Sequence, residues 1–310
     1  MRVLCTGATG LVGYNFVQSA SKAGCEVVAV CCKNELAGMG NVSVVHADLT
    51  DTDKLQRLVL DVFPDAIINC AAIASPADVD ANPELANRLN TEMPEQLALL
   101  ANHIGARLVH MSTDMVFDGT AAPYVNTDIP MPCTLYGTTK LLAEKKILKI
   151  AAPTTVVLRL SHVSGNSLTG RRSLHEKLLR AWAGGKKTPC RTDEIKCPLS
   201  ASVLADLIVE ILQRPKLSGI YHYCGADALS RYDMAARIAV HFGLSPEEFI
   251  EPVKGDRPCD LTMDAHALLS RVKTPAPTYA QLLDEMQLPA DLRPWLISKG
   301  GKAPVKRFKL

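Results

Sequence analysis

The 310-residue chain lacks the features that would assign it to a membrane, a metal or a nucleic acid. No apolar run approaches the roughly 18 residues of a membrane span. Lys and Arg are nearly balanced by Asp and Glu, leaving a formal charge of +2, so the basic footprint of a nucleic-acid-binding protein is missing. No Cys-x-x-Cys pair occurs among the ten cysteines, which removes the usual signatures of a zinc site or a thioredoxin-type dithiol. The cysteines are scattered, mostly inside apolar runs such as Val30-Cys31-Cys32 and Asn69-Cys70-Ala71, a pattern that fits reduced thiols. Met1-Arg2 runs directly into a strand-like Val3-Leu4-Cys5, leaving no room for a signal peptide, and a cytoplasmic location is expected. There is also no internal repeat and no low-complexity tract.

What is present is a core-forming composition, 47% hydrophobic and 21% charged, in a chain long enough for about two domains. The first half alternates short β-branched runs with helical patterns, the signature of βαβ units on a parallel sheet. Strands are expected over 3–5, 26–30, 43–46, 66–70, 107–111 and 155–160, and helices over 11–23, 53–62, 83–103 and 136–149. Beyond Leu160 the rhythm loosens. A helix is expected over 174–183, a loop over 184–198, a helix over 201–213, a strand over 220–223 and a helix over 230–242. The expected organisation is an α/β, Rossmann-type doubly wound domain over 1–163, to which 201–223 returns. A smaller substrate lobe takes 164–200 and 224–298, and a basic tail takes 299–310.

Directly after the first strand comes Thr6-Gly7-Ala8-Thr9-Gly10-Leu11-Val12-Gly13. Glycines at this spacing let the backbone turn tightly and approach a diphosphate, while the next helix offers unpaired N–H groups and a positive dipole end. This stretch is expected to bind a dinucleotide through Gly7, Thr9, Gly10, Leu11, Val12 and Gly13. Where an NAD-preferring site usually has an acidic residue after the second strand, this chain has Cys32-Lys33-Asn34. Lys33 can neutralise a 2′-phosphate, so NADP(H) is favoured over NAD(H). Asp48 and Leu49, after the third strand, are placed at the adenine, although an aspartate there equally suits a helix cap.

The fifth strand ends in His110-Met111-Ser112-Thr113-Asp114, at the edge where open α/β sheets place their ligands. Farther on, Leu135-Tyr136-Gly137-Thr138-Thr139-Lys140 sets a phenol and an ammonium four residues apart, on one face of a helix. A nearby cation lowers a phenol's pKa, which would suit Tyr136 to proton transfer.

These residues carry a resemblance. The Gly-rich loop, Asn69-Cys70-Ala71-Ala72, Asn90, Ser112 to Gly119 and Tyr136 to Lys140 together resemble an extended short-chain dehydrogenase/reductase. The nearest branch is that of dTDP-4-dehydrorhamnose reductase and its relative, the regulatory beta subunit of methionine adenosyltransferase. The likeness continues more weakly through Val157 to Leu160, Gly219 to His222 and Arg257-Pro258. It implies that Tyr136 donates a proton to a ketone as NADPH delivers hydride. It further implies that Lys140 binds the nicotinamide ribose and depresses the tyrosine pKa, that Thr113 holds substrate and phenol in register, and that Cys70, Ala71 and Ala72 line the cofactor. The implied substrate is a small-molecule ketone, most simply a nucleotide sugar.

Two departures bear on that substrate. Met115 stands where the reductase branch commonly has a tyrosine, and Arg159-Leu160-Ser161-His162-Val163-Ser164-Gly165 replaces an Arg-Thr-Ser-Trp-Val-Tyr-Gly pattern, losing two aromatic groups. Asp114, Met115, His162, Arg171 and Arg257 are the expected substrate contacts, with Arg172, Lys177, Arg180, Arg191 and Lys196 as further cations for a diphosphate. No metal is expected. Two readings are open: a reductase, or a non-catalytic NADP-binding subunit of a partner enzyme, for which the basic tail is a docking candidate. A homodimer is compatible with either.

Overall fold

The strands of the first half are apolar on both faces, so each face must be covered. The computed structural model, which describes residues 1–38, 40–257 and 259–303, shows how this is done. Strands β1 (Arg2–Thr6), β2 (Glu26–Cys31), β3 (Val42–His46), β4 (Ala66–Asn69), β5 (Arg107–Thr113), β6 (Thr155–Leu160) and β7 (Gly219–Tyr223) form one sheet in the order β7-β6-β5-β4-β1-β2-β3. Every pairing in it is parallel. Alternate residues go to opposite sides. Val3, Cys5, Ile68 and Val109 join one core with Phe16 and Val17 of helix α1 (Leu11–Lys22), whereas Leu4, Ile67 and Leu108 join the core beneath helix α2 (Thr52–Val62), helix α3 (Met93–Ile104) and helix α4 (Leu135–Ala151). The chain winds outward from β1 to β3, then returns from β4 to β7. The switch between β1 and β4 opens a crevice at the carboxyl ends of the strands, where ligands bind in such sheets.

Helix α5 (Leu174–Ala183), helix α6 (Ala201–Leu212) and helix α7 (Arg231–His241) complete the long helices. α6 packs on α1 and belongs to the sheet, and β7 comes after it. α5 and α7 build a separate core from Leu178, Leu179, Trp182, Met234, Ile238 and Phe242, with Leu282 and Leu296 from the C-terminal helices.

Two segments differ from the sequence expectation. The single helix expected over 83–103 is broken: helix Pro83–Asn87 passes through a π-helical turn, Arg88–Glu92, before α3 begins, and a further short helix, Pro76–Ala81, precedes it. The loop expected over 184–198 contains strand Thr188–Arg191, paired with Ile250–Val253, and strand Glu194–Lys196, paired with Leu229–Ser230 and Cys259–Asp260. These strands are short, and their partners lie far along the chain, so no local periodicity announces them. Among the described residues, no helix is long and apolar enough to cross a membrane. Of the expected basic tail, residues 304–310 lie outside the described residues, as does Pro258.

Candidate active site

The Gly-rich loop is shaped by close backbone contact. Gly7 has φ of +65°, and a Cβ on it would sit 2.7 Å from the backbone nitrogen of Ala71, while a Cβ on Gly13 would collide with the Gly7 carbonyl. Ala71 N–H also donates to Thr6 Oγ1 (3.3 Å), so the Cys70-Ala71 segment lies directly against the loop. Gly10 caps α1 without any side-chain hydrogen bond. The first turn is therefore open to an anion, and the cradle fits a dinucleotide diphosphate. Lys33 is exposed in the bend after β2. Asp48 is also exposed; its Oδ1 accepts from Thr50 N–H (2.9 Å) and Thr50 Oγ1 (2.8 Å), which hold the carboxyl below its ordinary pKa, and Leu49 beside it is buried. The cap of α2 is Asp51, which accepts from Lys54 N–H at 3.1 Å.

α4 starts where the catalytic spacing requires it to start. Thr134 caps it by accepting from Gly137 N–H (3.0 Å). Gly137 leaves room for the Met115 carbonyl, which any Cβ would strike. The first turn is thereby pressed against the end of β5, and Tyr136 and Lys140 are buried on the same side. The π turn serves the same junction. Its Asn90 Oδ1 accepts from Ile73 N–H (2.8 Å), and Nδ2 donates to Ile73 O (2.9 Å) and Thr139 Oγ1 (3.2 Å), tying the segment after β4 to α4.

Lys140 Nζ lies 3.1 Å from His110 Nε2, His110 Nδ1 lies 3.0 Å from Asn69 Nδ2, and Asn69 Oδ1 accepts from Thr6 Oγ1 (2.7 Å). Burial, and then the neighbouring ammonium, drive the His110 pKa well down, so this imidazole is neutral. Burial likewise lowers Lys140 to about 8, against smaller opposing effects of Glu144 and Cys70. With the Asn69 amide nitrogen on His110, the contacts suit a free Lys140 amine accepting from the imidazole. A Lys140 ammonium can only donate, which places the His110 proton on Nδ1 and turns the Asn69 amide over. One amide rotation thus accompanies one proton on Lys140.

Thr113 Oγ1 accepts from Met115 N–H (3.1 Å) and donates to Asp114 Oδ1 (3.2 Å), and its hydroxyl is near enough to Tyr136 to pull the phenol pKa down. The phenol pKa moves upward, contrary to the direction implied by the resemblance. Burial is the largest cause, the Asp114 carboxylate adds to it, and the Thr113 contact opposes both. Lys140 points its ammonium at His110, so Asp114 is the charge Tyr136 feels.

Asp114 was expected to meet substrate, yet Oδ2 is taken by Lys196 Nζ (2.8 Å) and Ser161 Oγ (3.1 Å), with both partners of the ion pair buried. Lys196 is correspondingly engaged by Asp114 instead of lining a diphosphate site. Met115 packs beside Tyr136 and Val79. His162 lies at the same edge, its Nδ1 3.3 Å from Arg231 Nη1. Arg171 is exposed and acts on the Asp291 carboxyl; Arg257 is exposed beside Cys133 and Asp118. Among the described residues, no hydrogen bond or ion pair joins either arginine to Thr113, Asp114 or Tyr136. Arg180 pairs with Asp291 and Arg191 with Asp193, so those two cations are also engaged elsewhere. His110, Ser161 and Arg231 escaped the sequence reading. Only His110 left a signal there, as a polar side chain in an otherwise apolar buried strand. No cluster of metal-ligating side chains occurs among the described residues.

Known proteins resemble this chain along most of its length. A family model described as RmlD substrate binding domain matches residues 1–289. Methionine adenosyltransferase 2 subunit beta of Xenopus laevis is 31% identical over 268 residues, covering 84% of this chain and 77% of the relative. dTDP-4-dehydrorhamnose reductase of Salmonella typhimurium is 30% identical over 244 residues, covering 77% of each. The crystal structure of a hypothetical dTDP-4-dehydrorhamnose reductase from Sulfolobus tokodaii superposes with a TM-score of 0.80 at 29% identity, over 93% of this chain and all of that one.

Proposed function

The chain belongs to the RmlD substrate binding domain family, and from that premise we propose that it is an NADP-dependent reductase acting on a keto group of a nucleotide-activated deoxysugar. The observation that carries the reading is the buried set of Tyr136, Thr113 and Lys140 beside an open Gly-rich cradle, at the edge of the sheet where its winding reverses. NADPH, when bound, supplies the hydride. The chain does the rest. The loop Gly7 to Gly13 and the first turn of α1 hold the diphosphate, Lys33 meets the 2′-phosphate, and Lys140 reaches the nicotinamide ribose. Tyr136 gives its proton to the carbonyl oxygen. Its raised pKa keeps the phenol protonated at neutral pH, so the acid is in its working form before the ketone arrives. Thr113, fixed by Met115 N–H, holds phenol and carbonyl in register.

The test is NADPH oxidation across a panel of 4-keto nucleotide sugars. Wild type is expected to turn over at least one, with Tyr136→Phe slower by roughly a hundred- to ten-thousandfold and NADPH binding retained. NADPH binding without oxidation above the Tyr136→Phe background, across the whole panel, overturns the reading.

A second reading is favoured by one observation: the similarity to methionine adenosyltransferase 2 subunit beta is at least as high as that to the reductases. In that case the fold serves as an NADP-binding regulatory subunit. Co-purification with a methionine adenosyltransferase, lost on removing residues 299–310, supports it; failure to associate removes it.

A further inference from the structure

We propose that His110 and Asn69 are positioning residues for Lys140, and that the buried hydrogen-bond chain they form reverses direction when Lys140 gains a proton, so that dinucleotide binding takes up that proton. The inference rests on the cofactor part of the proposed function and deepens it. The chain runs from Lys140 through His110 and Asn69 to Thr6, each 2% exposed or less, with contacts of 3.1, 3.0 and 2.7 Å. A neutral imidazole has one N–H and one lone pair, so fixing one nitrogen fixes the other. With Lys140 as a free amine, every bond points toward it: Thr6 Oγ1 donates to Asn69 Oδ1, Asn69 Nδ2 to His110 Nδ1, and His110 Nε2 to the amine. An ammonium has no lone pair, and every bond then points away. Lys140 donates to His110 Nε2, His110 Nδ1 donates to Asn69, and the turned Asn69 amide donates to Thr6 Oγ1. Thr6 Oγ1 also accepts from Ala71 N–H, and Thr6 directly precedes Gly7, so the reversal ends at the foot of the cradle.

The surroundings of Lys140 leave its proton to the cofactor. On α4 itself, the Glu144 carboxylate is taken by Arg159 (2.7 Å) and by Ser112, and the raised pKa of Tyr136 keeps that phenol neutral. The segment after β4 brings the Cys70 thiol, β5 brings the neutral His110, and the π turn brings only the uncharged Asn90 and Thr91. Asp114, at the end of β5, is paired with Lys196. The ammonium thus has no carboxylate to itself, and burial lowers its pKa to about 8. A dinucleotide brings anionic phosphates to the cradle and ribose hydroxyls that accept from the ammonium, which raises that pKa. Affinity is therefore full below the free protein's value and is lost as pH rises through it, by up to about tenfold per pH unit.

Nitrogen NMR of the full chain labelled at histidine, with His110 assigned by its loss in His110→Gln, reads which imidazole nitrogen carries the proton. In the free protein it should sit on Nδ1 at pH 7 and on Nε2 at pH 9.5, and NADP should move the changeover upward by roughly one pH unit or more. Calorimetry of NADP binding should show affinity falling roughly tenfold from pH 7 to pH 9, with a proton drawn from the buffer at pH 9. At pH 7, His110→Phe should weaken NADP binding by roughly tenfold, and His110→Gln, whose amide either donates to or accepts from Lys140, should recover part of the loss. A His110 proton that stays on one nitrogen from pH 7 to pH 9.5 overturns the chain, and this reading on wild type stands even where the variants fold poorly. A changeover that NADP leaves in place, or an affinity flat across this range, overturns the coupling to the cofactor. A protein that changes over but binds neither NADP nor NADPH keeps the chain and counts against the reductase reading instead.

Discussion

On the cofactor side of the cleft a lysine is held by neutral groups of the sheet itself; on the substrate side an aspartate is held by a lysine reaching in from the lobe. Thr6, Asn69, His110 and Lys140 come from three neighbouring strands and the helix packed against them. Asp114 and Lys196 come from segments 82 residues apart. The first arrangement is fixed once the sheet forms. The second exists only when the lobe is seated, so in the proposed function substrate recognition depends on long-range docking in a way that cofactor binding does not.

Removing one partner of the ion pair should expose this difference most sharply. Lys196→Met leaves the Asp114 carboxylate buried and uncompensated, with an expected loss of about 3–5 kcal/mol in urea denaturation. Lys196→Met combined with Asp114→Asn should recover much of it. A small loss in the single variant would show that the lobe does not rely on the pair.

Acid should act on both sides by the same route. Burial lowers His175 in the lobe and His222 in the sheet to about 4 each. A folded-state pKa below the unfolded value means stability is complete above the unfolded pKa near 6.5 and is lost as pH falls from there toward 4. Each histidine contributes up to about 3 kcal/mol of that loss. Denaturation midpoints at pH 7, 5.5 and 4.5 should fall progressively, and His175→Gln should flatten the decline. Loss of lobe fluorescence at Trp182 before unfolding of the sheet would sharpen the contrast between the halves.

The neutral relay should cost less to break. His110→Leu leaves Asn69 and the Lys140 ammonium without their partner, an expected 1–3 kcal/mol. Cofactor affinity should fall with it. The smallest effect belongs to the rim: Lys33→Ala should narrow the gap between NADPH and NADH affinity by roughly tenfold, the scale of one exposed charge on a phosphate. Equal affinities in wild type would contradict the NADP preference.

What could be read from the sequence divides along the same line. The Gly-rich loop, Thr113, Tyr136 and Lys140 announce themselves through local spacing, because the chemistry proposed for them is set by one turn of helix or one strand end. The Lys196–Asp114 pair and the Arg231–His162 contact join distant segments, and no periodicity connects them. Lys196 looked available for a phosphate only because its counter-ion was invisible. Arg171 and Arg257 entered as plausible cations by charge alone, and the fold leaves both exposed, Arg257 beside Cys133. The direction of the Tyr136 shift was equally hidden, since it depends on which charge lies nearer, and that proved to be Asp114.

The π turn at Arg88–Glu92 has a consequence for how this chain tolerates change in length. A π turn accommodates one residue more than the α-helical turn it replaces. Deleting a single residue there would let the segment relax into continuous α-helix with α3 still in phase, because the turn already holds the extra residue. Leu97 and Ala101 would stay on the sheet core, whereas the bulge that presents Asn90 to Ile73 and Thr139 would be gone. The turn is a spare link, so the fold should outlast its removal better than the junction beside Tyr136 and Lys140 does.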